Sequence, residues 1–119
     1  QIVKIINMKI YHNPRCSKSR ETLALINEAG KDVEIIEYLN NRPSKEDLVD
    51  VLQKLGLKAE QIIRKGEAVY KDNFKGKELS EKKWIEAMIR YPKLIERPIV
   101  IQGDRAVLGR PPQNVLDLL

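Results

Sequence analysis

The chain has 119 residues, 42% hydrophobic and 33% charged, with 22 Lys+Arg against 17 Asp+Glu, a net charge of +5, one His and one Cys. That length suits one domain with an ordinary core. A single Cys excludes an internal disulfide, one Cys and one His cannot build a Cys/His zinc site, and no apolar run is long enough to span a membrane.

Residues 1–7 precede Met8. They are expected to be either a remnant ahead of a native start at Met8 or the beginning of the first strand, with one domain over 8–119. Lys9-Ile10-Tyr11 is β-prone and ends at the turn signal His12-Asn13-Pro14. Ser17 to Ala29 reads as a helix with Thr22, Leu23, Leu25, Ile26 and Ala29 on its apolar stripe, stopped by Gly30. Val33–Tyr38 is a second strand.

Ser44 is expected to cap a helix, with Asp47 completing a variant capping box. Leu48, Val49, Val51, Leu52 and Leu55 form its apolar face, and Gly56 ends it. A short helical piece is expected around Glu60–Lys65. Val69–Lys77 reads as a polar loop. Ser80 caps a further helix carrying Trp84, Ile85, Met88 and Ile89, ended by Pro92.

Ile99-Val100-Ile101 and Ala106-Val107-Leu108 read as a hairpin around Gln102-Gly103-Asp104. Gln113–Leu119 is expected to be a terminal helix. The order is β-α-β, several helices, then β-β-α. This predicts an α/β class, thioredoxin-like, with a helical insertion between its two halves.

The positive charge is locally concentrated. Lys9, Arg15, Lys18 and Arg20 occur from 9 to 20 without an acid, and His12 and Cys16 lie among them. Aromatics are only 5% of the chain, so nucleic acid is not the expected partner. Cys16 falls between a strand-ending turn and a helix start. Free backbone N–H groups there stabilise a thiolate and can cradle an oxyanion. Asn13 and Ser19 could add hydrogen bonds. The bland alternative is an inert core thiol, which the polar flanks Arg15 and Ser17-Lys18 argue against. His12 reads equally as a turn residue bonded to backbone or as a proton-transfer group.

Arg64, Arg97 and Arg110 each sit at an element boundary. An arginine offers planar, multidentate bonding to oxyanions. Taken singly, each is better read as a surface arginine.

The segment His12-Asn13-Pro14-Arg15-Cys16-Ser17-Lys18-Ser19-Arg20 resembles the His-x3-Cys-x3-Arg signature of the glutaredoxin-coupled arsenate reductases. The resemblance continues through Ile36-Glu37-Tyr38-Leu39, Ile63-Arg64-Lys65, Glu96-Arg97-Pro98-Ile99-Val100 and Leu108-Gly109-Arg110-Pro111. It implies that Cys16 is the nucleophile and that Arg64, Arg97 and Arg110 bind the oxyanion. His12, Asn13, Ser19, Arg20 and Pro98 would support them, with Arg97–Pro98 cis. It further implies a thiol–arsenic adduct, glutathione as co-substrate, glutaredoxin as partner and no bound cofactor or metal. A monomer in the cytoplasm is expected. Arg15 departs from the best-studied members, which carry a small residue before the cysteine.

The rival is a redox-responsive regulator similar to Spx, which binds RNA polymerase. Such proteins typically carry Cys-x-x-Cys, and here the pair is Cys16 and Ser19. Arg105 follows the hairpin turn and is expected to be solvated.

Overall fold

The computed structural model describes residues 6–119. The expectation for residues 1–7 therefore falls mostly outside the described residues. Ile6 and Asn7 lie ahead of the first strand without regular structure. The chain divides into two compact units. One comprises Gln1–Glu37 with Arg97–Leu119, and the other Tyr38–Glu96.

The first unit carries a four-stranded sheet. Strands β1 (Met8–Tyr11), β2 (Glu34–Ile36), β3 (Ile99–Gln102) and β4 (Arg105–Leu108) lie in the order β2-β1-β3-β4. β2 runs parallel to β1, whereas β3 is antiparallel to both β1 and β4. β1 and β2 are joined through helix α1 (Ser17–Glu28). β3 and β4 form the expected hairpin, with Gln102 opposite Arg105 and Gly103 at φ 59° in its turn. A side chain rarely tolerates that backbone angle, and glycine adopts it freely.

Alternation along β1 sends Met8 and Ile10 to one face. There they pack with Ile26 of α1, Val100 of β3, and Val115 and Leu118. Ser19, Thr22 and Ile26 are the buried residues of α1, spaced three and four apart, while Ala29 is exposed. Fully burying a Val, Leu or Ile side chain stabilises by roughly 1.5–3 kcal/mol, so this small cluster holds the strand and helix that meet at Cys16.

Two expectations in this unit change. The second strand shortens from Val33–Tyr38 to Glu34–Ile36, because β1 offers it only three register partners. The terminal helix is a 3-10 helix over Pro112–Leu118. Pro111 and Pro112 stand at its N-cap and first position, where the missing N–H groups cost no helical bond.

In the second unit, helix α2 (Lys45–Leu55) begins at Ser44 with a full capping box. Ser44 Oγ accepts from Asp47 N–H at 3.0 Å, and Asp47 Oδ2 accepts from Ser44 N–H at 2.9 Å. Gly56 closes it at φ 69°. Leu48, Val51 and Leu52 are buried, whereas Val49 is exposed, because it lies off the three-four stripe. A 3-10 turn at Ala59–Ile62 stands where the short helical piece is expected.

The expected loop over Val69–Lys77 is corrected. Helix α3 spans Ala68–Asn73. Polar residues dominate from Lys71 to Lys77, and the aromatic residues Tyr70 and Phe74 lie one turn apart. Both rings meet Trp84 of helix α4 (Glu81–Arg90), with centroids 6.4 and 5.9 Å away. Ser80 caps α4 through the N–H of Lys83. Trp84, Ile85, Ala87 and Met88 form its buried side. No helix among the described residues is long and apolar enough to cross a membrane.

The capping box gives a direct test. Ser44→Ala should lower the unfolding free energy by about 1 kcal/mol in urea titration, because the Asp47 N–H loses its Ser44 Oγ acceptor.

Candidate active site

The site is built at the junction of β1 and α1. His12 N–H bonds Ile36 O at 2.9 Å, which continues the β1–β2 ladder by one step. The chain then turns. Cys16 N–H bonds Asn13 O at 3.0 Å, and Arg15 N–H bonds Asn13 Oδ1 at 2.9 Å. Ser19 stitches the turn to the helix. Its Oγ accepts from Asn13 N–H at 3.0 Å and shares a hydrogen bond with His12 Nδ1. Arg20 Nη1 donates to Pro14 O at 2.9 Å. Each residue from His12 to Arg20 that sequence reasoning singled out is therefore part of one bonded turn.

Cys16 is the residue capping α1, with extended backbone angles, and is 8% exposed. Its side chain makes no cap hydrogen bond of ordinary geometry. Its charge state follows from opposing effects. Burial is the largest and pushes the thiol pKa up. The N–H of Ser19, the hydrogen bond and charge of Arg97, and the N–H of Lys18 pull it down. Together they win, and the thiol is held below its ordinary value. The sign is set by the charged form, because every downward contribution comes from a donor or cation that favours sulfur as an anion.

Arg97 and Arg110 converge on the sulfur. Arg110 Nη2 donates toward Cys16 Sγ at 3.6 Å. Its Nε donates to the carbonyl of Arg97 at 2.7 Å. One arginine's backbone thus aims the other's side chain. The Arg97–Pro98 bond is cis, and so is Arg110–Pro111.

Arg64 belongs to the second unit. Its Nε lies 3.3 Å from Glu67 Oε1 and its Nη1 3.6 Å from Glu96 Oε2. Arg105 is exposed at the start of β4.

His12 is buried, and burial is the main reason its pKa lies below the ordinary value. Glu37 partly offsets this, and Arg20 adds to it. A lowered pKa keeps the imidazole neutral at pH 7, so it acts here as a hydrogen-bonding partner of Ser19 rather than as a cation. Among the described residues, no group of three or more His, Cys, Asp or Glu side chains comes together as a metal site would require.

Sequence reasoning missed three contributors. Asn114 Nδ2 donates to Leu108 O at 3.0 Å and to Arg110 O at 3.1 Å, clasping the segment that carries Arg110. Gly109 lies so close to α1 that a Cβ there would stand 2.5 Å from Thr22 Oγ1 and 2.6 Å from Pro98 Cγ. Glu37 acts on His12 through its charge. Gly109 had a sequence signal, as a glycine directly before an arginine of interest. Glu37 is remote in sequence from His12, and Asn114 clasps carbonyls six and four positions before it without belonging to any motif.

Known proteins extend these observations. The model of the ArsC family matches residues 11–118. The arsenate reductase of Haemophilus influenzae is 45% identical over 112 residues, covering 92% of this chain and 97% of its own. The Escherichia coli K12 protein called "Uncharacterized protein YfgD" is 46% identical over 114 residues, covering 94% and 96%. A solved structure titled arsenate reductase from Vibrio cholerae superposes with a TM-score of 0.91 at 45% identity, covering 98% of this chain and all of that one.

The close approach at Gly109 is testable. Gly109→Ala should cost about 1–3 kcal/mol in urea unfolding, the usual range for overpacking. Gly66→Ala is the control, since a Cβ there meets nothing within 4 Å.

Proposed function

The chain belongs to the ArsC family, and on that premise we propose that it reduces arsenate to arsenite through a covalent adduct on Cys16. The observation that carries the reading is the pair of guanidinium groups at one activated sulfur. Arg110 Nη2 stands 3.6 Å from Sγ, and Arg97 favours the thiolate. A thiolate and an oxyanion repel one another, so an attack between them needs cations shared by both. Arg97 and Arg110 supply that charge without needing a proton, because arginine stays ionised.

The reaction then runs in balanced steps. The Cys16 thiolate bonds to arsenic, and one oxygen leaves as water after protonation. The glutathione thiolate attacks the Cys16 sulfur of the adduct, the sulfur–arsenic bond breaks, and its electron pair leaves with arsenic as arsenite. Reduction of arsenic(V) to arsenic(III) takes two electrons, and two thiol sulfurs provide them by ending as one disulfide. Glutaredoxin reduces that disulfide and restores Cys16. The need for outside thiols follows from the single Cys of the chain. No bound cofactor or metal is required, and a reducing cytoplasm suits a thiol that must return to the free state.

Arg64 is proposed as the third oxyanion ligand on the strength of the sequence resemblance. Its two carboxylate neighbours leave further N–H donors of its fork for a substrate. His12, Asn13, Ser19, Arg20 and Pro98 are positioning residues in this reading. The Spx-like regulator has no observation in its favour. Ser19 stands where its second cysteine would be, with its hydroxyl bonded to His12 and Asn13.

The test is an assay of purified protein with arsenate, glutathione and glutaredoxin. Turnover is expected, and Cys16→Ser should abolish it. Absence of turnover by the wild-type protein would overturn the arsenate assignment. In the same assay Arg97→Ala should lower kcat/KM for arsenate by roughly 10- to 100-fold, the loss of charged hydrogen bonds worth about 1.5–3 kcal/mol. Arg105→Ala should change it little. Equal losses would remove Arg97 from the oxyanion site.

A further inference from the structure

Four exposed or half-exposed cations crowd the sequence before and after the nucleophile, and the structure gives them different duties. Lys18 Nζ lies 4.0 Å from Glu21 Oε2. Arg20 is bonded to Pro14 O. Lys9 points away from the buried side of β1. Arg15 is the exception. Its backbone N–H is fixed on Asn13 Oδ1, it is exposed, and among the described residues its guanidinium makes no hydrogen bond or ion pair. It is therefore an anchored backbone with an unspent, permanent positive charge, one residue before Cys16.

We propose that Arg15 binds a carboxylate of the resolving thiol and so favours glutathione over uncharged thiols. The inference rests on the reading of Cys16 as a thiolate resolved by glutathione. Glutathione carries two carboxylates and one ammonium group, so it approaches as an anion. With Arg97 and Arg110 engaged by the oxyanion and the adduct, a further cation is needed to draw in this second anion. A guanidinium matches a carboxylate with two parallel N–H bonds, which an ammonium cannot do. The groups that lower the Cys16 pKa are Ser19, Arg97 and Lys18. Removing Arg15 therefore leaves those groups in place.

The test uses thiol–disulfide exchange without arsenate. The Cys16 thiolate attacks one sulfur of a disulfide, joins it as a mixed disulfide and releases the other half as a thiolate. Intact mass follows the product with oxidised glutathione and with oxidised 2-mercaptoethanol, which is uncharged. Arg15→Ala should slow exchange with oxidised glutathione roughly three- to fivefold at low ionic strength, as expected for an exposed ion pair. Arg15→Lys should lose less, and added salt should shrink the difference. Equal slowing with both disulfides, or no slowing with glutathione, would overturn the proposal. Failure of arsenate turnover would leave this result standing, because no arsenate is present. A wild-type Cys16 inert to both disulfides would overturn the thiolate reading and this proposal together.

Discussion

The hydrogen bond from Arg110 Nε to the Arg97 carbonyl is the interaction on which the site depends. It is 2.7 Å long and charge-assisted, and it uses Nε of a guanidinium whose Nη2 end turns toward the sulfur. That end reaches Cys16 Sγ at 3.6 Å. Arg97 in turn favours the sulfur anion by hydrogen bond and charge. Two residues thirteen positions apart, on either side of the β3–β4 hairpin, are thus fixed to each other. In the proposed reaction, fixing them in advance would remove the cost of gathering two like charges when an anion arrives.

Holding that pair in place constrains the surrounding packing. Gly109 must pass against Thr22 and Pro98, where no side chain fits. Gly109 N–H bonds Pro98 O at 2.9 Å, and Asn114 clasps the carbonyls of Leu108 and Arg110. The same helix whose Thr22 receives Gly109 starts at Cys16. α1 is therefore registered at both ends of one short span, by the Ser19 bonds to the turn and by Thr22 against Gly109. Burial works against the thiolate throughout, and the nearby donors and Arg97 reverse it. A partly buried anion is strongly attracted to the charges that overcome its burial, which suits a nucleophile better than a solvated thiol would.

How much of this was legible depends on whether a signal is local. The box of Ser44 and Asp47, the stop at Gly56 and the hairpin turn at Gly103 are local, and the structure has all three. The family signature around Cys16 is also contiguous, and the segment from His12 to Arg20 forms one bonded turn. α3 was hidden because the rings of Tyr70 and of Phe74 at its C-cap show their purpose only beside Trp84. The second strand ends where its partner strand ends, a fact of pairing rather than of propensity. Asn114 clasps carbonyls only six and four positions before it, but nothing in its neighbours announces a clasp. Arg97 and Arg110 were visible as candidates, but the bond that makes them a pair runs through a backbone carbonyl.

The central claim is that the Cys16 thiol titrates below its ordinary value because Arg97 and the helix start outweigh burial. Thiolate absorbance in the ultraviolet, titrated against pH in the wild-type protein and in Arg97→Ala, tests it most directly. The account predicts a wild-type midpoint below the value of about 8.5 for a free cysteine, with the thiolate lost as pH falls through that midpoint. Arg97→Ala should move the midpoint upward, because burial then faces fewer opposing contributions. A wild-type midpoint at or above about 8.5, or one that Arg97→Ala leaves unmoved, would contradict the account.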